Sequence, residues 1–314
     1  MLHTRFTELF GLRYPVMSAP MAMHSGGTLA GAVSAAGGLG SFGGVNPAES
    51  PTWVVAQADL VRAATDAPFA IGFITHLLPY MEPYFEAALE ARPDAIALSF
   101  ADPGPWAVRV KAAGCRLICQ VQTLADAELA MAAGADVLVA QGNEAGGHTG
   151  TIGLLPVLSA VVERYPDVPV LASGGIADGR TLAATLLAGA DGAWLGTAFL
   201  ATPEAIEIDD EYKAAIVASD GGDTVFTRAY DIASGIPWPS GIGERLKRDA
   251  FTDEWTEREA ELRGRRDEVK PGMPIRYGQS AAFVRAVRPA ADVVREISDV
   301  AERVLRERPA RVLG

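Results

Sequence analysis

The residues most able to do chemistry cluster in one stretch. Gln141-Gly142-Asn143-Glu144-Ala145-Gly146-Gly147-His148-Thr149-Gly150 sets an imidazole among glycines. Imidazole titrates near neutrality and can take or give a proton. The glycines let a ligand approach the backbone. The other histidines are His3, in a terminus expected to be loose, His24, after the first strand, and His76, after the third. None has such a surround, so His148 is the candidate acid–base group. The competing reading is a loop histidine bonded to a backbone carbonyl. Glu144 is its candidate partner, or else belongs to a structural salt bridge.

A second constellation suits an anion. Ser173-Gly174-Gly175 offers approachable backbone N–H groups and one hydroxyl, and Gly196-Thr197 offers the same further on. Barrel enzymes often bind phosphate between the loops after strands seven and eight, at a helix N-terminus. Two ordinary tight turns are the alternative. No GxGxxG follows the first strand, no GxSxG elbow occurs, and no His/Cys/Asp/Glu grouping has zinc spacing, so no metal is expected. Cys115 and Cys119 fall on one side of one short apolar strand and read as buried free thiols, which suits a reducing cytoplasm.

These residues must be positioned by the elements between them. Short apolar runs at 16–19, 39–42, 69–74, 95–99, 116–120, 136–140, 168–172 and 192–195 alternate with amphipathic runs at 28–36, 51–64, 78–91, 106–113, 124–133, 154–165 and 179–188. Near-continuous apolar strands between helices predict a parallel sheet covered by helices. Eight such strands close a barrel, so the expected fold is α/β, a (β/α)8 TIM barrel; an open doubly wound sheet is the alternative. Both constellations then fall at the C-terminal strand ends, where barrel enzymes place their sites. Residues 1–203 and 279–314 are assigned to the barrel. Segment 204–278, with a charged helix expected around 254–266, is expected to cap the mouth. Residues 290–306 carry apolar positions at helical spacing and should pack back on the barrel. Trp238, Tyr277 and Gln279 are read as structural rather than pocket residues.

The bulk properties exclude several classes. The chain has 314 residues, 49% hydrophobic and 21% charged, enough for a large core. Its net charge of −12 disfavours nucleic acid and anionic membranes as partners. The N-terminal residues lack a signal-peptide apolar run, and no stretch of about 20 apolar residues suggests a membrane span, so a cytoplasmic location is expected. A homodimer is compatible with the sequence, which does not set the oligomeric state.

The strand-end residues resemble the nitronate monooxygenase family, formerly called 2-nitropropane dioxygenases. The likeness covers most of residues 10–202 and weakly the tail. It rests on Ala19-Pro20-Met21, on the run from Gln141 to Gly150, and on Ala172-Ser173-Gly174-Gly175-Ile176-Ala177-Asp178-Gly179-Arg180 with Gly189-Ala190-Asp191 and Leu195-Gly196-Thr197-Ala198-Phe199. The second run is highly specific; the third occurs more loosely in other FMN barrels. The resemblance implies bound FMN. Ala19 and Met21 would lie against the flavin ring, and Gly146 and Gly147 would pass close to it. Ser173, Gly174, Gly175, Gly196 and Thr197 would hold the phosphate. Gln120 matches a position near the flavin where relatives often have lysine or glutamine. A neutral amide there would stabilise reduced, anionic flavin less. The implied reaction oxidises an alkyl nitronate, a small molecule, with O2 to a carbonyl compound and nitrite. His148 would remove the α-proton of a neutral nitroalkane or bind the nitronate. One departure stands out: where some relatives have Val-Asn-Leu after strand three, this chain has Gly72-Phe73-Ile74-Thr75.

The main alternative is an NAD(P)H-dependent flavin reductase acting on a quinone or an enoyl thioester, because enoyl-ACP reductases resemble the same barrel and carry a similar Gly-Gly-His loop. An inosine-monophosphate-dehydrogenase-like reaction needs a cysteine in the loop after strand six, and there is none. A 2-hydroxy-acid oxidase needs a histidine and an arginine after strand seven, and Arg180 alone does not supply the pair.

Overall fold

The computed structural model describes residues 2–313. Eleven strands run in chain order: β1 Val16–Ser18, β2 Gly40–Gly43, β3 Phe69–Ile74, β4 Ala95–Ser99, β5 Arg116–Val121, β6 Val137–Gln141, β7 Gly147–Thr149, β8 Val170–Ser173, β9 Gly192–Leu195, β10 Thr224–Thr227 and β11 Gly243–Lys247. Eight of them form one parallel sheet in the order β1-β9-β8-β6-β5-β4-β3-β2. A parallel bridge between Met17 and Leu39 joins its two ends. The sheet is therefore a barrel, with a helix between most successive strands, as the apolar pattern predicts.

Side chains alternate across the barrel wall, as the pleat requires. Met17, Leu39, Ala70, Ala97, Ile118, Val139, Leu171 and Trp194 point inward and fill the interior. Val16, Phe42, Ile71, Leu98, Leu138 and Ala172 point outward beneath the helices. The interior is a packed core, so a ligand can enter only at an end.

The N-terminal end is closed by an element the sequence reading did not anticipate. Residues expected to be loose form the helix Arg5–Phe10, whose start is capped by Thr4 and whose end is the left-handed Gly11. Its Phe6 is fully buried in the interior cluster. Arg5 pairs with the largely buried Asp191 at 2.7 Å, tying this plug to the entry of β9.

The other end carries the chemistry. Residues after β9 build the helix Asp210–Ala218, strands β10 and β11, and the helices Ala229–Ser234, Ala250–Trp255 and Glu259–Arg265. The single charged helix expected around 254–266 is instead the end of Ala250–Trp255 and the helix Glu259–Arg265, joined by the 3-10 turn Thr256–Arg258. β10 and β11 pair antiparallel, and β11 pairs antiparallel with β7. The glycine-rich loop after β6 is therefore stitched into the later segment, with Glu244 opposite His148. The closing helix, Ala290–Leu313, is longer than expected and packs on the helices Gly179–Leu187 and Gly27–Ala35. Among the described residues no helix is long and apolar enough to cross a membrane.

Candidate active site

A cavity of about 380 Å³ opens at the C-terminal ends of the barrel strands. Ala19, Met21, Gln120, Gly146, Gly147, His148, Ser173, Gly174, Gly196 and Thr197 all line it. Gly175 is the one singled-out residue absent from the lining; it sits beside Glu144, outside the wall. Residues from β1, β5, β7, β8 and β9 and their loops thus meet in one place, although they span nearly two hundred positions of sequence.

The cradle after β8 and β9 suits an anion by its donors. Gly174 and Gly175 have positive φ, 100° and 71°, which favours glycine. No hydrogen bond among the described residues engages their N–H groups or the Ser173 hydroxyl, although Ser173 is buried. Successive loop N–H groups and a hydroxyl without a protein partner make an anion-binding concavity, so these donors fit a bound group such as phosphate. The helix N-terminus expected to assist is already filled: the Asp178 side chain caps Gly179–Leu187 by accepting from the Thr181 N–H at 2.8 Å. The donors here are loop amides. The Thr197 hydroxyl accepts from the Gly278 N–H at 3.0 Å.

The other glycines have different reasons. A Cβ on Gly146 would lie 2.5 Å from the backbone of Tyr277 and Gly278, so its bareness lets the segment before the closing helix pass over the loop. Gly147 has φ of 71° and nothing within 4 Å of a Cβ, so its requirement is conformational. Gln120 keeps its amide nitrogen unbonded in the cavity wall, while its oxygen receives a long 3.4 Å bond from Gln122.

His148 stands on β7 with its ring held from two sides. Its Nε2 lies 3.0 and 3.1 Å from the two carboxylate oxygens of Asp231. The Trp238 indole stacks on the imidazole, with ring centroids 3.5 Å apart and planes 13° apart. The His148 carbonyl accepts from Gln141 Nε2 at 3.0 Å, and Gln141 Oε1 accepts from Gln122 Nε2 at 2.9 Å. The imidazole is therefore bonded to a carboxylate rather than to a backbone carbonyl. Asp231 belongs to the helix Ala229–Ser234 and lies 83 residues downstream, beyond the reach of any spacing argument.

Glu144 is not the partner of His148. Both its carboxylate oxygens accept from the Leu154 N–H, at 3.1 and 3.0 Å, so it caps the helix Leu154–Arg164. Trp238, expected to be structural, lines the cavity. Tyr277 is fully buried and donates its hydroxyl to Asp223 at 2.6 Å. Gln279 binds the Glu144 carbonyl through its N–H at 3.0 Å.

Two further charges flank the imidazole. Glu244 is fully buried and receives a 2.8 Å bond from Arg276 Nε on one oxygen, while the other oxygen has no partner. Burial pushes its carboxyl above the usual range, and the Arg276 guanidinium opposes that shift. Glu244, Asp231 and His148 present ligand atoms within 4.8 Å of one another. Arg276 already holds one Glu244 oxygen and both Asp231 oxygens face Nε2, which is a proton-sharing arrangement. His24 and His76 are pushed below the usual histidine range by burial, so they stay neutral. Phe100, which also lines the cavity, has φ of 63° and is followed by Ala101 at 130°. Non-glycine residues held there cost roughly 1–3 kcal/mol each and gather at functional sites.

Comparison with known proteins shows the family. The family model described as "Nitronate monooxygenase" matches residues 3–91 and 84–297. The chain belongs to the nitronate monooxygenase family. The nitronate monooxygenase of Paraburkholderia phytofirmans is 34% identical over 269 residues, which cover 70% of this chain and 72% of that protein. The structure of FabK from Thermotoga maritima superposes with a TM-score of 0.87 at 28% identity, covering 99% of this chain and all of that one. The nitroalkane oxidase from Streptomyces ansochromogenes superposes at 0.78 and 27% identity, covering 96% and 99%. As a nitronate monooxygenase family member, the chain is an oxidoreductase of a flavoprotein family.

Proposed function

We propose that this protein binds FMN and uses O2 to oxidise alkyl nitronates to a carbonyl compound and nitrite, accepting neutral nitroalkanes through His148. The observation that carries the reading is that a carboxylate-bound histidine and the unpartnered donors of Ser173 and Gly174 line one cavity. Ser173, Gly174 and Gly175, with Gly196 and Thr197, would hold the phosphate. Ala19, Met21, Gly146, Gly147 and Gln120 would border the ring. The bound flavin supplies the electron transfer between nitronate and oxygen; the protein supplies position, charge and proton movement.

The chain's own part is binding and proton handling. Phe73, Phe100, Trp238 and Ile236 give the cavity apolar walls that suit an alkyl group. His148 removes the α-proton of a neutral nitroalkane, and the anion that results is the species to be oxidised. A preformed nitronate needs no such step. Segment 204–278 acts as the cap, because it supplies Asp231, Trp238 and Arg276 to the lining.

The second reading is a reductase using NAD(P)H, in which a cationic side chain free to meet a dinucleotide phosphate would be a supporting feature. Among the described residues Arg276 is the one lysine or arginine lining the cavity, and it is paired with Glu244. The test is anaerobic. Bleaching of the bound flavin by propyl nitronate supports the proposal. Rapid bleaching by NADH, with none by nitronate, overturns it.

A further inference from the structure

We propose that Asp231 is a positioning residue that fixes the proton of His148 on Nε2 and so makes Nδ1 the atom that takes the substrate's α-proton. The inference rests on the nitroalkane reading above and deepens it. Both Asp231 oxygens lie at hydrogen-bond distance from Nε2, and an ionised carboxylate can only accept. The proton between them therefore sits on Nε2. No hydrogen bond among the described residues engages Nδ1, which leaves its lone pair for the cavity that His148 lines. The pair is insulated: Asp231 is 6% exposed, and among the described residues no other group donates to its carboxylate. Trp238 fixes the ring plane by stacking, so the imidazole cannot turn to exchange its nitrogens without breaking both contacts.

The surrounding charges fit this assignment. The groups facing the pair are Glu244 from β11, Arg276 from the segment before the closing helix, and His76 across Trp238. Arg276 pairs with Glu244, burial shifts His76 toward its neutral form, and Asp231 is the carboxylate that lies directly against the ring. In the proposed step the C–H bond of the nitroalkane breaks. Its electron pair stays on the substrate and spreads to the nitro oxygens, giving the nitronate. The proton goes to Nδ1, and the imidazolium lies directly against the Asp231 carboxylate. A third residue that orients the base is a recurring device of proton-transfer sites.

The test compares Asp231→Asn and Asp231→Ala in the holoenzyme. Asn keeps the shape but lacks the charge and offers an N–H beside its one acceptor oxygen, so the Nε2 proton loses its fixed place and the imidazolium loses its counter-charge. Ala leaves the ring free to choose its tautomer. The kcat/KM for nitroethane should fall on the order of 10²-fold or more in Asp231→Asn and by less in Asp231→Ala. Turnover of preformed ethyl nitronate should fall far less in both. A purely packing role predicts the reverse order, because Asn conserves volume. Ring-nitrogen NMR shifts, assigned with His148→Ala, read the tautomer without any substrate. Wild type should carry the proton on Nε2, and Asp231→Asn should carry it partly on Nδ1. A wild-type proton on Nδ1, or a greater loss in Ala than in Asn, overturns the proposal. Absence of any nitronate turnover in wild type would overturn the function and leave the tautomer measurement to decide Asp231 by itself.

Discussion

Replacing His148 with alanine should produce two separable losses, and the structure sizes both. The chemical loss falls on neutral nitroalkane alone. A positioned general base contributes roughly 10²–10⁴-fold, so kcat/KM for nitroethane should drop by at least ~10²-fold, which is about 2.7 kcal/mol of transition-state stabilisation. Preformed ethyl nitronate already lacks the α-proton and should lose under ~10-fold. The structural loss comes from Asp231. His148 is the group bonded to its buried carboxylate, so the variant leaves that charge unpartnered at a cost of about 1–3 kcal/mol or more. The lost stack on Trp238 adds about 0.5–1.5 kcal/mol. Denaturant unfolding of His148→Ala and of His148→Ala/Asp231→Ala separates the two terms: the double variant should regain much of the stability but none of the nitroalkane activity. Flavin absorbance should persist in both. Equal loss on nitroalkane and nitronate would refute proton abstraction by His148. A double variant no more stable than the single would refute the isolation of the Asp231 carboxylate.

Other predictions follow from the cradle, the thiols and the buried carboxyl. Ser173→Ala should weaken FMN binding to the apoprotein by on the order of 10-fold in a fluorescence titration, the scale of one lost hydrogen bond to a charged group; an unchanged Kd would remove Ser173 from the cradle. Gly174→Val should purify without flavin and less stable, because a Cβ there meets the Gly142 carbonyl at 2.8 Å on a backbone with φ of 100°; a stable, fully loaded variant contradicts this. Burial raises the Cys115 thiol and pushes Cys119 up to about 12, so neither should react with a thiol reagent at mildly alkaline pH until the protein is unfolded. Glu244 is raised above its ordinary 4.5, so between 4.5 and the raised value the folded chain holds a proton there that the unfolded chain has released. Its contribution is full below pH 4.5 and declines as pH rises through the raised value, and Glu244→Gln should flatten that decline in a stability–pH series.

The barrel was legible because most of its parallel strands are short apolar runs, and parallel strands buried on both faces must read that way. The glycine-flanked histidine and the Ser173-Gly174-Gly175 turn were legible because unusual backbone needs unusual residues. What escaped was built from ordinary ones. β7 is three residues long, and its partner β11 reads Gly-Glu-Arg-Leu-Lys, with Glu244 and Arg245 buried despite their charge. A polar pentapeptide gives no strand signal until its partners are known. Asp231 sits in Ala-Tyr-Asp-Ile-Ala-Ser, a plain helical turn, and reaches His148 only because the later segment folds over the barrel mouth. Glu144 shows the converse: nearness in sequence suggested a partner for His148, while the turn of the loop aims its carboxylate at the next helix. The plug helix was missed because Phe6 and its neighbours precede the first strand, where no alternation marks them.

The most direct measurement is an anaerobic spectral titration of the purified holoprotein, with propyl nitronate in one cuvette and NADH in the other. The account predicts an FMN spectrum that bleaches stoichiometrically with nitronate, recovers on admitting O2 with release of nitrite, and stays oxidised with NADH. A protein that NADH bleaches and nitronate leaves yellow would contradict it.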